Sequence, residues 1–335
     1  MDQMSELGGY QLITGAGLPP KNAFNFSSED VHFFALGRHS LEAIYRSVQP
    51  RKVFLPHYTC HSVKFLFERL GAEAINYSLG EEFIPEIKTI DTSDLLVINN
   101  YFGLAASNAC WLSWLKQLNH AQVVVDDTQS LCVTGQFDKH CSFISPRKFL
   151  PVTDGGILFT PSNTIDKSVL PTKDDKSWQR VQWLFRAVDE QCRQQSYVEY
   201  LQYRKQEIQN IPYSKMSEVT KFLLQTYDVK SLIEHRNRLF FGLRRLLPIH
   251  PLFKNVSLSP FASPIGFPIK VGNTGKVQSA LAEKKIYAVR YWPELNTADN
   301  LSSIELELVT RTIFLPLDGE YSDAHISIIL EQTAV

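Results

Sequence analysis

From residue 35 onward, short apolar runs alternate with longer stretches of helical periodicity. The runs are KVFLP, AEAINY, LLVINNY and AQVVVDD, and they alternate with stretches such as SLEAIYRSV and HSVKFLFERLG. This order is typical of βα units, whose strands pair in parallel and whose helices cover the sheet. We therefore predict an α/β fold with a mostly parallel central sheet and helices on both of its faces.

The composition changes after the segment GGILFTPSN. Residues 173–247 are rich in Lys, Arg, Glu and Gln at helical spacing, and short strands and helices with Pro-bearing breaks follow them. We predict a large domain over residues 1–235 that includes the helical segment 173–235. Residues 236–335 are predicted to form a small C-terminal α+β domain.

Charge and cysteine content exclude several kinds of protein. The chain has 34 Lys and Arg against 35 Asp and Glu, so no basic surface for nucleic acid is expected. Its five cysteines include no CxxC pair, which argues against a disulfide framework and a metal site. No run of about 18 apolar residues exists, and the N-terminus lacks the basic and apolar regions of a signal peptide. We expect a cytoplasmic protein with small-molecule ligands and no membrane contact.

Lys148 lies in an apolar setting in the segment CSFISPRKFLPVTDGGILF. Burial disfavours the ammonium form, so a lysine beside Phe149 and Leu150 is suited to attack a carbonyl and form a Schiff base. Ser145 precedes it by three residues, and the pair Gly155 and Gly156 permits close backbone approach. The alternative is a lysine whose charged end reaches the surface.

Two carboxylates end the most hydrophobic run, QVVVDD. Because ligand sites of open α/β sheets lie at the carboxyl ends of strands, Asp126 or Asp127 is expected at the mouth of the sheet. A buried carboxylate needs a cationic partner, and a protonated pyridine nitrogen is one such group. The alternative is an Asp that caps the following turn. Gln129 could reach the same ligand.

The segment Gly37-Arg38-His39-Ser40 immediately precedes the helical stretch SLEAIYRSV. A helix that begins at a glycine presents free backbone N–H groups and the positive end of its dipole. The segment is therefore a candidate phosphate site, although many helices begin in this way.

These features resemble the type I fold of transferases that depend on pyridoxal phosphate, and most closely the DegT/DnrJ/EryC1/StrS family of sugar aminotransferases. The most specific resemblance is a lysine, Lys148, followed six residues later by Asp154 and two glycines. The other segments that resemble the family are PHYTC, NYFG, the DDTQ segment, YSKMSE and FLPLDGEYSDAHISIILE.

The resemblance implies pyridoxal phosphate as the cofactor, with Lys148 as the catalytic lysine. It places Asp126 at the pyridine nitrogen, with Asp127 and Ser130 used in an alternative register. Asn100 or Gln129 would bind the phenolic oxygen. The implied phosphate ligands are Gly37, Arg38, His39 and Ser145, and the position of the stacking ring falls at Tyr58 or Cys60. Members of this family are homodimers that move an amino group from an amino acid, here expected to be glutamate, to a nucleotide-linked keto-sugar.

The chain also departs from the family pattern. Cys60 stands where an aromatic ring is common, and Tyr213 replaces an Asn that reaches the partner's cofactor phosphate. These changes leave two alternatives: a non-catalytic or regulatory binding protein, and a dehydratase or eliminase that uses the same cofactor. A further motif, the Ser-x-x-Lys of penicillin-binding proteins, lacks its companion Ser-Asp-Asn and Lys-Thr-Gly elements here.

Overall fold

The computed structural model describes residue 28 and residues 30–118, 122–131, 139–173, 178–210, 212–258, 262–298 and 300–333. The expectation about a signal peptide concerns residues 1–24, which lie outside this part, as does Cys132. The four cysteines that are described are free thiols. The described residues contain no helix long and apolar enough to cross a membrane.

Eight strands form the main sheet, and the predicted runs KVFLP, AEAINY, LLVINNY and AQVVVDD are strands within it. In chain order the strands are β1 (Val31–Phe34), β2 (Val53–Pro56), β3 (Ala74–Leu79), β4 (Pro85–Glu86), β5 (Leu95–Asn99), β6 (Gln122–Asp126), β7 (Cys141–Ile144) and β8 (Gly156–Phe159). Across the sheet their order is β1-β8-β7-β6-β5-β2-β3-β4. The five central strands, from β7 to β3, pair in parallel. At the margins β8, β1 and β4 pair antiparallel. The predicted fold class is confirmed.

Ten α-helices accompany the described strands. They are α1 (Gly37–Val48), α2 (His61–Arg69), α3 (Ala109–Gln117), α4 (Trp178–Arg186), α5 (Glu190–Asn210), α6 (Glu218–Thr226), α7 (Val229–Leu246), α8 (Thr274–Glu283), α9 (Ser303–Arg311) and α10 (Asp323–Thr333). Local sequence explains several starts: Asn108 caps α3, and Ser302 with Glu305 forms a capping box on α9.

Strands β2, β5 and β7 are buried along their whole length, so alternate residues of one strand enter different cores. On β5, Leu95 and Val97 pack with α1 and α2, whereas Leu96 and Ile98 pack with α3 and the C-terminal part of the chain. This double burial explains why the strand sequences are continuous apolar runs.

The segment 173–247 is mostly helical where it is described, as predicted, and contains α4 to α7, with short non-helical connections between them. The predicted domain boundary after residue 235 falls within α7. Beyond it, β9 (Phe267–Lys270) and β10 (Thr312–Leu315) form a two-stranded antiparallel sheet with α8, α9 and α10 nearby in the chain. The sequence GFPIKV contains β9, while YAVRYW contributes an isolated bridge between Val289 and Phe314. The division into two domains stays a prediction.

Candidate functional site

Lys148 ends a single 3₁₀ turn, Pro146–Lys148, that follows strand β7. Its Nζ donates a hydrogen bond to Thr128 Oγ1 at 2.8 Å. The predicted desolvation of this lysine is wrong, because its side chain is exposed. The turn directs its neighbours Phe149 and Leu150 into the core and leaves Lys148 at the mouth of the sheet.

Asp126 is the last residue of β6, and its side chain is buried. Its Oδ1 accepts a hydrogen bond from Thr128 N at 2.9 Å. Burial raises the pKa of this carboxyl, while the positive charge of Lys148 and the hydrogen bonds from Thr128 oppose that rise. The structure therefore brings together the predicted lysine and one predicted carboxylate, with Thr128 between them.

Asn99 lies beside Asp126 in the sheet and is a candidate site residue that was not predicted from the sequence. The two residues are paired in register on parallel strands, so their side chains point to the same face. Asn99 Nδ2 donates to Thr59 Oγ1 at 3.1 Å, and among the described residues its buried Oδ1 has no hydrogen-bond partner. A free acceptor next to a buried carboxylate suits a ligand that carries a hydrogen-bond donor.

Asp127 and Asn100 form a hydrogen bond with each other. Asn100 Nδ2 donates to Asp127 Oδ1 at 2.7 Å, and Asn100 Oδ1 accepts from Ala106 N at 2.9 Å. Burial, with a smaller contribution from the charge of Asp126, raises the pKa of Asp127 to about 7. The expected contact of Asn100 with a phenolic oxygen therefore conflicts with its hydrogen bonds, and Asp126 is the carboxylate near Lys148.

The first turn of α1 lies against Thr128. A Cβ placed on Gly37 would lie 3.2 Å from Thr128 Cγ2, so the helix begins beside the residue that binds Lys148. Its N-cap residue, Leu36, offers no side-chain hydrogen bond. The buried Oγ of Ser40 has no hydrogen-bond partner in the described part of the chain. Unsatisfied polar groups at a helix start form a setting that favours an anion.

The double glycine allows this arrangement. A Cβ on Gly156 would lie 2.4 Å from the carbonyl oxygen of Leu36 and 2.7 Å from Gly37 N. Gly155 adopts a φ of +138° and donates through its N–H to Ala35 O at 2.7 Å. The two glycines therefore let strand β8 pass directly against the backbone that leads into α1.

His39 is buried behind this turn and Arg38 is half-buried. The His39 ring meets the Tyr213 ring edge-on, with 5.7 Å between centroids. Burial, followed by the charge of Arg38, lowers the pKa of His39 to about 3, so the ring is neutral at pH 7. His39 thus contributes packing, and no positive charge, at the start of α1.

The two residues predicted at the position of a stacking ring, Tyr58 and Cys60, have different surroundings. Tyr58 is fully buried and packs on Trp292, with ring centroids 4.7 Å apart, in an aromatic cluster with Tyr101 and Phe102. Cys60 is half-buried just before α2, and its Sγ lies 3.1 Å from Ser62 Oγ.

Gln129 and Ser145 make backbone contacts close to the site. Gln129 Oε1 accepts a hydrogen bond from Phe102 N at 2.9 Å, while its Nε2 is buried without a partner among the described residues. Ser145 Oγ donates to Gly155 O at 3.2 Å. Both side chains fix the loops that carry Asp126 and Lys148.

No protein-family profile and no curated protein matches this chain. Solved structures do match. A DegT DnrJ EryC1 StrS aminotransferase from Brucella abortus is 15% identical with a TM-score of 0.57, and the match covers 91% of this chain and 86% of that one. The chain has the fold of this aminotransferase.

Two further structures show the same similarity. A Streptococcus pneumoniae protein described as a sugar aminotransferase, solved in its PMP form, is 15% identical with a TM-score of 0.59 over 90% of this chain and 86% of that one. The S. venezuelae protein DesV, in complex with a ketimine intermediate, is 14% identical with a TM-score of 0.59 over 91% and 85%. At these identities the likeness establishes the fold.

Proposed function

We propose that the protein is an aminotransferase that uses pyridoxal phosphate and moves an amino group from an amino acid to a keto acceptor. One observation carries this proposal: Lys148 and the buried carboxylate of Asp126 meet through Thr128 at the carboxyl ends of the parallel strands, beside the start of α1. The structures that share the fold include sugar aminotransferases, one of them in a PMP form.

The residues present fit this cofactor. A protonated pyridine nitrogen needs an anionic acceptor, and Asp126 is buried next to the unpartnered Oδ1 of Asn99. A phosphate needs N–H donors, and α1 begins beside Thr128 with a glycine and without a capping side chain. An aldehyde needs an amine with which to form a Schiff base, and Lys148 presents one at the same carboxyl edge of the sheet.

When bound, pyridoxal phosphate supplies an aldehyde carbon and an electron-withdrawing ring. Lys148 Nζ would bind that carbon and, once displaced by the amino donor, would take the proton from the donor's α carbon. Asp126 would accept a hydrogen bond from the pyridine nitrogen and keep it protonated. The first N–H groups of α1, with Ser145 close by, would hold the phosphate.

The finer parts of the proposal rest on the resemblance seen in the sequence. Glutamate is the proposed donor, and a nucleotide-linked keto-sugar is the proposed acceptor. The proposed assembly is a homodimer in a cytoplasmic setting, with helices between residues 173 and 247 in the contact. On the surface of this segment lie Phe185, Val188 and Val198, which are exposed apolar side chains.

The proposal is tested by absorption spectroscopy of the purified protein with added pyridoxal phosphate, then by borohydride reduction and peptide mapping. We expect one reduced adduct, on Lys148, and loss of the visible band when glutamate is added. Lys148→Ala is expected to lose the adduct and keep the fold, since its side chain is exposed. Lys221→Ala, at a partly exposed lysine on α6 that pairs with Glu218, is the matched control and keeps the adduct.

Other outcomes separate the alternatives. An adduct spread over surface lysines, or no adduct, would favour a binding protein on the same fold. An adduct on Lys148 without any exchange of amino groups would favour a dehydratase or eliminase.

A further inference from the structure

Thr128 contacts each of the three elements that form the candidate site. Its Oγ1 accepts the hydrogen bond from Lys148 Nζ at 2.8 Å, and its N–H donates to Asp126 Oδ1 at 2.9 Å. Its Cγ2 lies 3.2 Å from the place where Gly37 would carry a Cβ. The lysine, the carboxylate and the start of α1 thus share one neighbour.

These contacts fix the direction of the Thr128 side chain. A β-branched residue has few χ1 rotamers, and here the backbone N–H is bound to Asp126 while the methyl group fits against the glycine that opens α1. The remaining branch, the hydroxyl, therefore points to Lys148. Gly37 matters in this respect because a Cβ at that position would press on the methyl group.

Lys148 needs such a contact because it is long and exposed. A lysine side chain has many rotamers in water, and attack on an aldehyde needs the amine in one place. A hydroxyl that accepts one N–H holds the amine at the carboxyl edge of the sheet. Unlike a carboxylate, it does not favour the protonated ammonium form, which cannot attack a carbonyl carbon. Thr128 is itself held in place, because its backbone N–H donates to Asp126 and Asp126 ends a central strand.

We propose that Thr128 is a positioning residue that holds Lys148 Nζ ready to react with the cofactor aldehyde. This inference rests on the proposed function, since it names a further residue for the same site. In the reaction, Lys148 Nζ adds to the aldehyde carbon, a C=N bond replaces C=O, and water leaves with the carbonyl oxygen.

The test measures the rate at which borohydride-reducible adduct forms on Lys148, with pyridoxal phosphate and, separately, with pyridoxal. Thr128→Val replaces the hydroxyl by a methyl group of similar shape and is expected to slow adduct formation by about 3- to 10-fold, the effect of one hydrogen bond. The loss is expected to be equal for both aldehydes, because the hydroxyl acts on the amine. Thr128→Ser keeps the hydroxyl and is expected to recover most of the rate.

Controls separate positioning from a general structural effect. Thr310→Val removes a hydroxyl from α9, where it donates to Leu306 O, and leaves the rate unchanged. Thermal unfolding confirms that each variant is folded, and Thr128→Ala serves as the second variant if Thr128→Val does not fold.

Three results would overturn the inference. The first is a Thr128→Val rate equal to that of the unmodified chain. The second is a loss confined to pyridoxal phosphate, which would place the effect at the phosphate and α1. In either case the Lys148 adduct of the unmodified chain would still support the proposed function. The third, absence of any adduct on Lys148 in the unmodified chain, would remove the proposed function and this inference together.

Discussion

Asp154 Oδ2 accepts a hydrogen bond from Ser217 N at 2.9 Å, although 63 residues separate the two in the chain. Asp154 Oδ1 also accepts from Ser217 Oγ at 3.0 Å, and that Oγ caps α6 by accepting from Thr220 N at 3.1 Å. The segment that contains Lys148, Asp154 and the double glycine is thereby joined to the start of α6. The acidic residue in this sequence pattern thus has a structural role.

Asp154→Ala is expected to destabilise the protein by about 3 kcal/mol, because it removes the acceptor of buried donors on Ser217 and Thr220. Urea denaturation measures the loss. Asp154→Asn, which keeps one acceptor oxygen, is expected to lose less. Equal stability of Asp154→Ala and the unmodified chain would show that the hydrogen bonds to Asp154 contribute nothing.

Gly156→Ala is expected to be strongly destabilising, by roughly 3 kcal/mol or more, since its Cβ would lie 2.4 Å from the backbone oxygen of Leu36. It is also expected to reduce trapping of pyridoxal phosphate on Lys148, because the displaced backbone leads into α1. Thermal unfolding and borohydride trapping measure the two effects.

Gly242→Ala is the matched control. Gly242 lies inside α7, and a Cβ there would meet no atom within 4 Å. An alanine costs less conformational entropy in a helix, so we expect a gain of about 0.5–1 kcal/mol. If the two substitutions had similar effects, close packing at Gly156 would not be the reason for the double glycine.

The central part of the sheet could be predicted because most of its strands, such as β2 and β5, are buried on both faces and their sequences are apolar runs. The antiparallel pairing of strands at the edge of the sheet could not be predicted. Strand β1 (VHFF) pairs antiparallel with β8, so that Val31 lies opposite Phe159. No local pattern carries that pairing, since it depends on contacts between distant parts of the chain.

The site was predicted where a residue's role follows from its place at a strand end, as for Asp126. Asn99 and Asn100 show where prediction from the sequence fails. Both are buried, so alternation of polar and apolar residues cannot tell which of them faces Asp126. The register of β5 against β6 decides that Asn99 does. Thr128 was not predicted either, because its proposed role depends on contacts with Lys148 and Gly37, which are distant from it in the sequence.

Asp126→Asn is expected to lower the rate of amino transfer at least about 100-fold, because an amide cannot stabilise a positive charge on the pyridine nitrogen. Trapping of pyridoxal phosphate on Lys148 is expected to persist, since the amine is unchanged. Single-turnover kinetics with glutamate measures the first effect and peptide mapping the second. Full activity of this variant would exclude Asp126 from the assigned role.

Asp127 is expected to make stability depend on pH. Its pKa is about 7 in the folded state, against an ordinary value of 3.8, because the side chain is buried. Between these values the folded state binds more protons than the unfolded state, so stability falls as pH rises from about 4 to 7.

Asp127→Asn, whose Oδ1 can still accept from Asn100, removes this dependence. The stability of the variant relative to the unmodified chain is expected to rise over this range by up to about 4 kcal/mol in urea denaturation. A constant difference between pH 4 and 8 would contradict the assignment.

Arg236 connects Phe149, the residue after Lys148, to the C-terminal part of the chain. It is buried, and its guanidinium donates to the carbonyl oxygens of Pro264 and Leu317 at 2.8 and 3.3 Å and lies over the Phe149 ring at 5.1 Å. Burial lowers the pKa of this group to about 10, which leaves it charged at pH 7.

Arg236→Met removes the donors that satisfy these buried carbonyl groups, so we expect a loss of about 3 kcal/mol and slower trapping of pyridoxal phosphate on Lys148, the neighbour of Phe149. Arg236→Lys keeps the charge, but its single nitrogen does not span the two carbonyl groups that separate guanidinium nitrogens reach, so it is expected to recover only part of the stability. Arg244→Met is the control. Arg244 also donates to two carbonyl groups, but its contacts with Val256 and Lys254 reach the surface, where water can replace them. A loss of about 1 kcal/mol is expected there, with unchanged trapping on Lys148. Equal losses for the two methionine variants would mean that burial of Arg236 adds nothing to its contacts.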